Sequence, residues 1–173
     1  IAEAIGATSV AVGHTQNDHI ETILMHLIRG SGTMGISGLQ PVNQWHLGAN
    51  RLEVVRPLLP VSREETEAYC REHRLEPRTD VTNASLEPLR NKIRLQLVPL
   101  LKEYNPNIAN TLLRTASIVK EEFDFVDLAS GIAWENMARV KRGTVVIDKE
   151  KFINLHPALQ RQLIRRAIET IRS

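Results

Sequence analysis

Thr8-Ser9-Val10-Ala11-Val12-Gly13-His14-Thr15-Gln16-Asn17-Asp18-His19-Ile20-Glu21-Thr22 is the stretch on which the fold turns. Its opening, Thr8 to Val12, is a short β-branched run that reads as a buried parallel strand. Gly13-His14-Thr15 stops the strand. A helix is then expected from about Asn17 to Arg29, with Ile20, Ile23, Leu24, Leu27 and Ile28 on its apolar face. Ahead of the strand, Ile1-Ala2-Glu3-Ala4-Ile5 reads as the last turns of another helix, with Gly6 where a C′ glycine belongs. A chain that opens inside an element is expected to be a fragment.

Working outward, Gly30-Ser31-Gly32 ends the helix, and Thr33 to Asn50, with Gly35, Gly38, Pro41 and Gly48, reads as loop. Leu52 to Val55 is a second short strand closed by Arg56-Pro57. Ser62 caps a helix to about Arg74, with Glu64 and Glu65 in its first turn. Strand and helix alternating in this way signals an α/β domain with a parallel sheet. Two strands are too few for a stable sheet, so the segment is expected to be the C-terminal half of such a domain. Its open edge would invite pairing with a second copy, as in a homodimer, or aggregation.

Further on, Asp80 to Ser85 is polar, and helical periodicity returns from about Glu87 to Tyr104, where Pro99 is expected to break or kink it. Pro106 opens a long helix to about Met137. Gly143 to Ile147 reads as a strand and His156 to Ile171 as a final amphipathic helix. The expected divisions are a domain over 1–105, a linker helix over 106–138 and a small, mostly helical domain over 139–173. A boundary near Asn105 or within the long helix suits this pattern.

Composition narrows the class. The 173 residues are 42% hydrophobic and 24% charged, ordinary for a globular chain. No apolar run approaches the roughly 18 residues of a membrane span. Cys70 is the single cysteine, which excludes an internal disulfide or a CxxC motif and favours a reducing, cytoplasmic setting. From Arg139 onward nine basic residues face three acidic ones, a balance of +6, while the rest is net acidic. Such a tail suits contact with a polyanion or, equally, a solvated helix face.

The candidate chemistry clusters where the first strand meets its helix, the place where open α/β sheets bind ligands. Asp18 and Glu21, three apart, share a helix face and could hold an ammonium group or a hydrated magnesium ion. They could also simply complement the helix dipole, with Thr15 and Asp18 as a loose capping box. His14 at the strand edge could reach a phosphate or ribose. Arg90 and Arg94, one turn apart, make either an anion clamp or a solvated basic face. Arg29 before Gly30-Ser31-Gly32 fits a phosphate-facing loop or a plain C-cap. His26, His46 and His73 have no partner at metal-ligand spacing, and no metal ligand is assigned.

In this order the motifs resemble those of the tRNA(Ile)-lysidine synthetase family, a branch of the PP-loop ATP pyrophosphatases (adenine nucleotide alpha hydrolase-like). The matching elements are His14-x-x-x-Asp18-x-x-Glu21-Thr22, Arg29-Gly30-Ser31-Gly32 with Gly38-Leu39, Arg56-Pro57-Leu58-Leu59, Asp80-x-x-Asn83 and Arg90-Asn91-x-Ile93-Arg94. The resemblance implies a ligase using ATP and Mg2+. The wobble cytidine of an isoleucine tRNA anticodon loop is adenylated, and free L-lysine displaces AMP. It assigns Asp18 and Glu21 to the amine, His14, Arg90 and Arg94 to the nucleotide, and Arg29, Arg56, Arg139, Lys141, Arg142 and Arg165 to the tRNA. The family's Ser-Gly-Gly-x-Asp-Ser phosphate loop does not occur in these residues, so the segment alone is expected to be inactive. The competing readings are a PP-loop tRNA thiolation enzyme, which would typically carry CxxC cysteines, and a non-catalytic RNA-binding module.

Overall fold

The computed structural model describes residues 2, 5–47, 50–77, 89–141 and 143–172. Within them the opening stretch becomes β1 (Ser9–Ala11) and α1 (Gln16–Arg29). β1 pairs in parallel with β3 (Asn50–Val55), Val10 lying opposite Val54. Ile20, Ile23 and Leu24 bury the inner face of α1, as their 3–4 spacing requires.

The stretch from Thr33 to Asn50, expected as loop, holds α2 (Thr33–Ile36) and β2 (Val42–Leu47). β2 runs antiparallel to β3 with Trp45 opposite Leu52, giving the order β1-β3-β2. The sheet is therefore mixed and three-stranded. Flanking Pro41 and Gly48 hid β2, and its apolar residues Val42, Trp45 and Leu47 do not alternate with period two.

Ser62 caps α3 (Arg63–Glu72) as a capping box. Its hydroxyl accepts from the Glu65 N–H at 3.1 Å and its own N–H donates to the Glu65 carboxylate at 2.7 Å. The helix, expected to break or kink at Pro99, does not break there. α4 (Leu89–Lys92) passes through a π-helical segment (Ile93–Leu97) into α5 (Val98–Tyr104). The Val98 N–H reaches the Ile93 carbonyl, five residues back. Pro99 has no N–H to give, and the widened turn lies immediately before it. Ile93 packs with Ile20 and Leu24, and Leu97, Leu101 and Leu112 close around them. Ile1, Glu3, Ala4 and Asp80 to Ser85 lie outside the described residues.

The chain separates into Ile1–Ser117 and Ile118–Ser173, a division inside α6 (Ile108–Met137). In the second unit β4 (Ala138–Lys141) and β5 (Thr144–Ile147) pair antiparallel, followed by α7 (Lys149–Ile153) and α8 (Pro157–Arg172). β4 and α7 add to the single strand and helix expected there. Arg166 ties α8 to α6, donating to the Asp127 carboxylate at 2.8 Å and to the buried Ser130 hydroxyl at 3.0 Å. Burial pushes the Asp127 carboxyl up, but hydrogen bonds from Gln162 and Arg166, with the charges of Arg166 and Lys120, hold it below its ordinary 3.8. Among the described residues no helix is long and apolar enough to cross a membrane.

Candidate active site

α1 starts just beyond the carboxyl end of β1, and its first turns carry the acidic pair. Asp18 closes the helix start: its Oδ2 accepts from the Thr15 N–H at 2.8 Å and the Thr15 hydroxyl at 3.0 Å. Glu21, one turn later, is only 2% exposed. A carboxylate buried that deeply needs cationic donors, because desolvating an unpaired charge is prohibitive. Arg90 and Arg94 supply them.

Arg90 Nε donates to Glu21 Oε2 at 2.8 Å, and Arg94 forks onto Glu21 through Nε (2.6 Å to Oε1) and Nη2 (3.0 Å to Oε2). Arg90 Nη2 also reaches Asp18 Oδ1 at 3.1 Å. The Glu21 hydrogen bond, opposed in part by burial and helped by the charges of Glu21 and Asp18, holds the Arg94 guanidinium above its ordinary range. Two carboxylates and two guanidiniums thus form one neutral quartet. The sequence reading gave the carboxylates to an amine and the arginines to phosphates; the structure joins them to each other.

A cleft of about 580 Å³ borders this quartet. Ile20, Val98, Pro99 and Ala109 give it apolar walls, and Glu21, Arg94, Glu64 and Lys102 give it charge. Sequence reasoning took Glu64 only as a favourable first-turn residue and missed Lys102, which no motif marked.

His14 and Arg56 meet on the other side of the sheet end. Arg56 Nε donates to His14 Nδ1 at 3.1 Å, which makes Nδ1 the acceptor nitrogen. Arg56 Nη1 donates to the Gln40 carbonyl at 2.8 Å and to Asn43 Oδ1 at 2.6 Å. At 6% exposure Arg56 anchors β2 and its approach, and its guanidinium is not presented to a polyanion. Arg29, Arg139, Lys141 and Arg165 are exposed; Arg142 lies outside the described residues. Arg29 ends α1, where Gly30 takes the left-handed conformation (φ 76°) of a C-cap.

Two histidines that no motif recommended organise the glycine-rich loop. His19 Nε2 donates to the Ser37 carbonyl at 3.2 Å, and His26 Nδ1 to that of Gly35 at 2.5 Å. Seven residues apart on α1, they share a face and hold the C-terminal end of α2. Burial holds His19 below its ordinary 6.5, against the Ser37 bond. Among the described residues no group of three or more His, Cys, Asp or Glu converges to hold a metal.

A model of the PP-loop domain family matches residues 1–101. Of curated proteins, the tRNA(Ile)-lysidine synthase of Dehalococcoides mccartyi is 47% identical, over 98% of this chain and 36% of its own length. Those of Symbiobacterium thermophilum and Clostridioides difficile are 36% and 32% identical, each over 99% of this chain and 36% of their own length. The chain therefore spans about a third of the length of these relatives.

Proposed function

Because this chain belongs to the PP-loop domain family, we propose that the gene product carrying it is an ATP-dependent tRNA-modifying ligase of the tRNA(Ile)-lysidine synthase type. It joins free L-lysine to the wobble cytidine of an isoleucine tRNA, in the cytoplasm, and ATP supplies the activation of the base. One observation carries this reading: Asp18, Glu21, Arg90 and Arg94 meet beside a charged cleft beyond the carboxyl end of β1.

Such a quartet suits a site that handles phosphates and an amine in turn. Phosphate oxygens match the guanidinium forks of Arg90 and Arg94 and compete with Glu21 for them. Each arginine drawn toward phosphate leaves carboxylate lone pairs on Asp18 and Glu21 for an ammonium. Holding the amine against its target then contributes by proximity. A magnesium site does not fit these residues in the same way, since both carboxylates are engaged by arginines and among the described residues no ligand cluster converges. Exposed Arg29, Arg139, Lys141 and Arg165 suit tRNA phosphates. Arg56 leaves that set, and with His14 it supports the sheet end.

The test is incorporation of labelled lysine by the full-length gene product into an isoleucine tRNA bearing a wobble cytidine, with ATP. Incorporation should vanish when that cytidine becomes uridine. Residues 1–173 alone, without a Ser-Gly-Gly-x-Asp-Ser loop, should give none. Tight tRNA binding by the full-length protein without incorporation would replace this reading with a non-catalytic RNA-binding module.

A further inference from the structure

Residues 89–104 form one helical stretch whose side chains fall into two lines, each with a spacing of four. Leu89, Ile93, Leu97 and Leu101 pack with Ile20 and Leu24 in the core. Arg90 belongs to the quartet, and Arg94, Val98 and Lys102 line the charged cleft. A plain α-helix does not hold such lines. At 3.6 residues per turn each step of four drifts by about 40°, or roughly 120° over three steps. The π-helical segment takes up one residue more than an α-turn and removes about 100° of that drift. The widened turn gives one helix both a core face and a cleft face.

Widening leaves a mark on the backbone. The Arg94 carbonyl has two donors within helical reach, the main-chain N–H groups four and five residues on. Val98 gives its N–H to the Ile93 carbonyl, and Pro99 has none to give. The Leu95 carbonyl loses its ordinary donor, four residues on, to the same proline. Two successive carbonyls in mid-helix therefore stand without these donors. Helix carbonyls point toward the C-terminal end, so both oxygens face the turn that carries Val98 and Pro99, two residues of the cleft wall. Main-chain acceptors without a helical donor take partners from outside the helix, and π-bulges are frequent at functional sites.

We propose that the Arg94 and Leu95 carbonyls, opened by the π-turn and Pro99, form an ammonium-binding element in the wall of the charged cleft. An ammonium carries three donors and no acceptor, so it serves both oxygens, whereas a hydroxyl has a single donor to give. Glu21 is already neutralised by two guanidiniums, and the carbonyls bind a cation without displacing either of them. Lys102, one turn beyond Pro99 on the same wall, suits a carboxylate, which sets the ammonium at the Pro99 end. The proposal rests on the ligase reading only for the identity of the ligand, the side-chain amine of free lysine.

Pro99→Ala restores a main-chain N–H that competes for these carbonyls and leaves every side-chain charge in place. In the full-length gene product it should weaken lysine binding about tenfold by calorimetry, the order of a lost hydrogen bond to a charged group. The amide introduced at position 99 should exchange slowly with solvent, and the urea midpoint should hold or rise, since a proline leaves a helix interior. Norleucine, with the same head and stem but no side-chain ammonium, should bind wild type and variant alike. Val98→Ala, which alters the wall and spares the backbone, should weaken lysine and norleucine equally. Unchanged lysine affinity in Pro99→Ala overturns the proposal, as does an equal loss for norleucine, which would assign the effect to wall shape. A rapidly exchanging amide at position 99 overturns it too, because a carbonyl that ignores a donor beside it is not an open acceptor. Absent lysine binding by the wild type overturns both this proposal and the ligase reading. Failure of the ligase reading alone looks different: lysine would bind, weaken in Pro99→Ala, and still not be incorporated into tRNA.

Discussion

Glu21→Ala removes the group on which two guanidiniums converge, and its cost can be worked from the geometry. The carboxylate accepts three arginine N–H bonds at 2.6–3.0 Å from within a nearly inaccessible position. Breaking a fully buried ion pair from one side costs roughly 3–5 kcal/mol, mostly through the charge left behind. Here the Arg90 and Arg94 side chains are 36% and 24% exposed, so water recovers part of that penalty. We expect a loss of about 2–3 kcal/mol. Trp45 lies in the first unit and Trp134 in the second, so a Trp134→Phe background lets Trp45 fluorescence report on the first unit alone. With a urea dependence of about 1–3 kcal/mol per molar, the midpoint should fall by roughly 0.7–3 M. The double variant Glu21→Met with Arg94→Met should regain much of the loss, because apolar groups of similar volume can replace a buried pair. A Glu21→Ala shift below about 0.3 M, or strictly additive single and double variants, would refute the claim that the quartet is a coupled buried network.

Gly38→Ala should cost at least about 2 kcal/mol in the same urea assay. Gly38 has φ +68°, and an added Cβ would sit 2.4 Å from His19 Cδ2 and 2.8 Å from Ile23 Cγ1. Gly13→Ala, with nothing within 4 Å, is the control and should be near neutral; equal effects at the two sites would sink the reasoning. His19 should titrate below 6.5 in an NMR pH series, since burial resists its protonation. Because the unfolded chain takes up that proton first, the His19 contribution to stability is complete above 6.5 and is lost as pH falls through the lowered folded value. A midpoint at or above 6.5 contradicts this. Finally, if phosphates and amine exchange partners within the quartet, the full-length protein should bind lysine more tightly with a non-hydrolysable ATP analogue, and by reciprocity the analogue more tightly with lysine. Equal lysine affinity with and without the analogue argues against the exchange.

The sequence made the local elements legible wherever pattern and punctuation agreed. β1 has a β-branched run, α1 an apolar period with a glycine end, and α3 a serine cap with an acidic first turn, and the structure places them within a residue or two of expectation. β2 failed because glycine and proline density outweighed a weak period, and the strand is held by its partner β3 more than by its own pattern. The π-helical segment before Pro99 was invisible because a proline announces a missing donor but not how the backbone will absorb it. His19 and His26 gave no signal because their partners are backbone carbonyls, which every residue carries.

The site was legible as two faces and illegible as one object. Spacing of three put Asp18 and Glu21 on one helix face, and spacing of four put Arg90 and Arg94 on another, but nothing local says that faces some seventy residues apart meet. Burial supplies the missing step. Glu21 follows Ile20 and precedes Ile23 and Leu24 on the inner side of α1, so packing that face carries its carboxylate out of water. A carboxylate taken there must find cations or become neutral, and the described chain offers a matched pair of arginines on the facing helical segment. Ligand roles for these four residues therefore begin from mutual neutralisation. An ammonium or a phosphate reaches its group by displacing a protein partner of the same charge, and the affinity for either is the difference between two strong interactions.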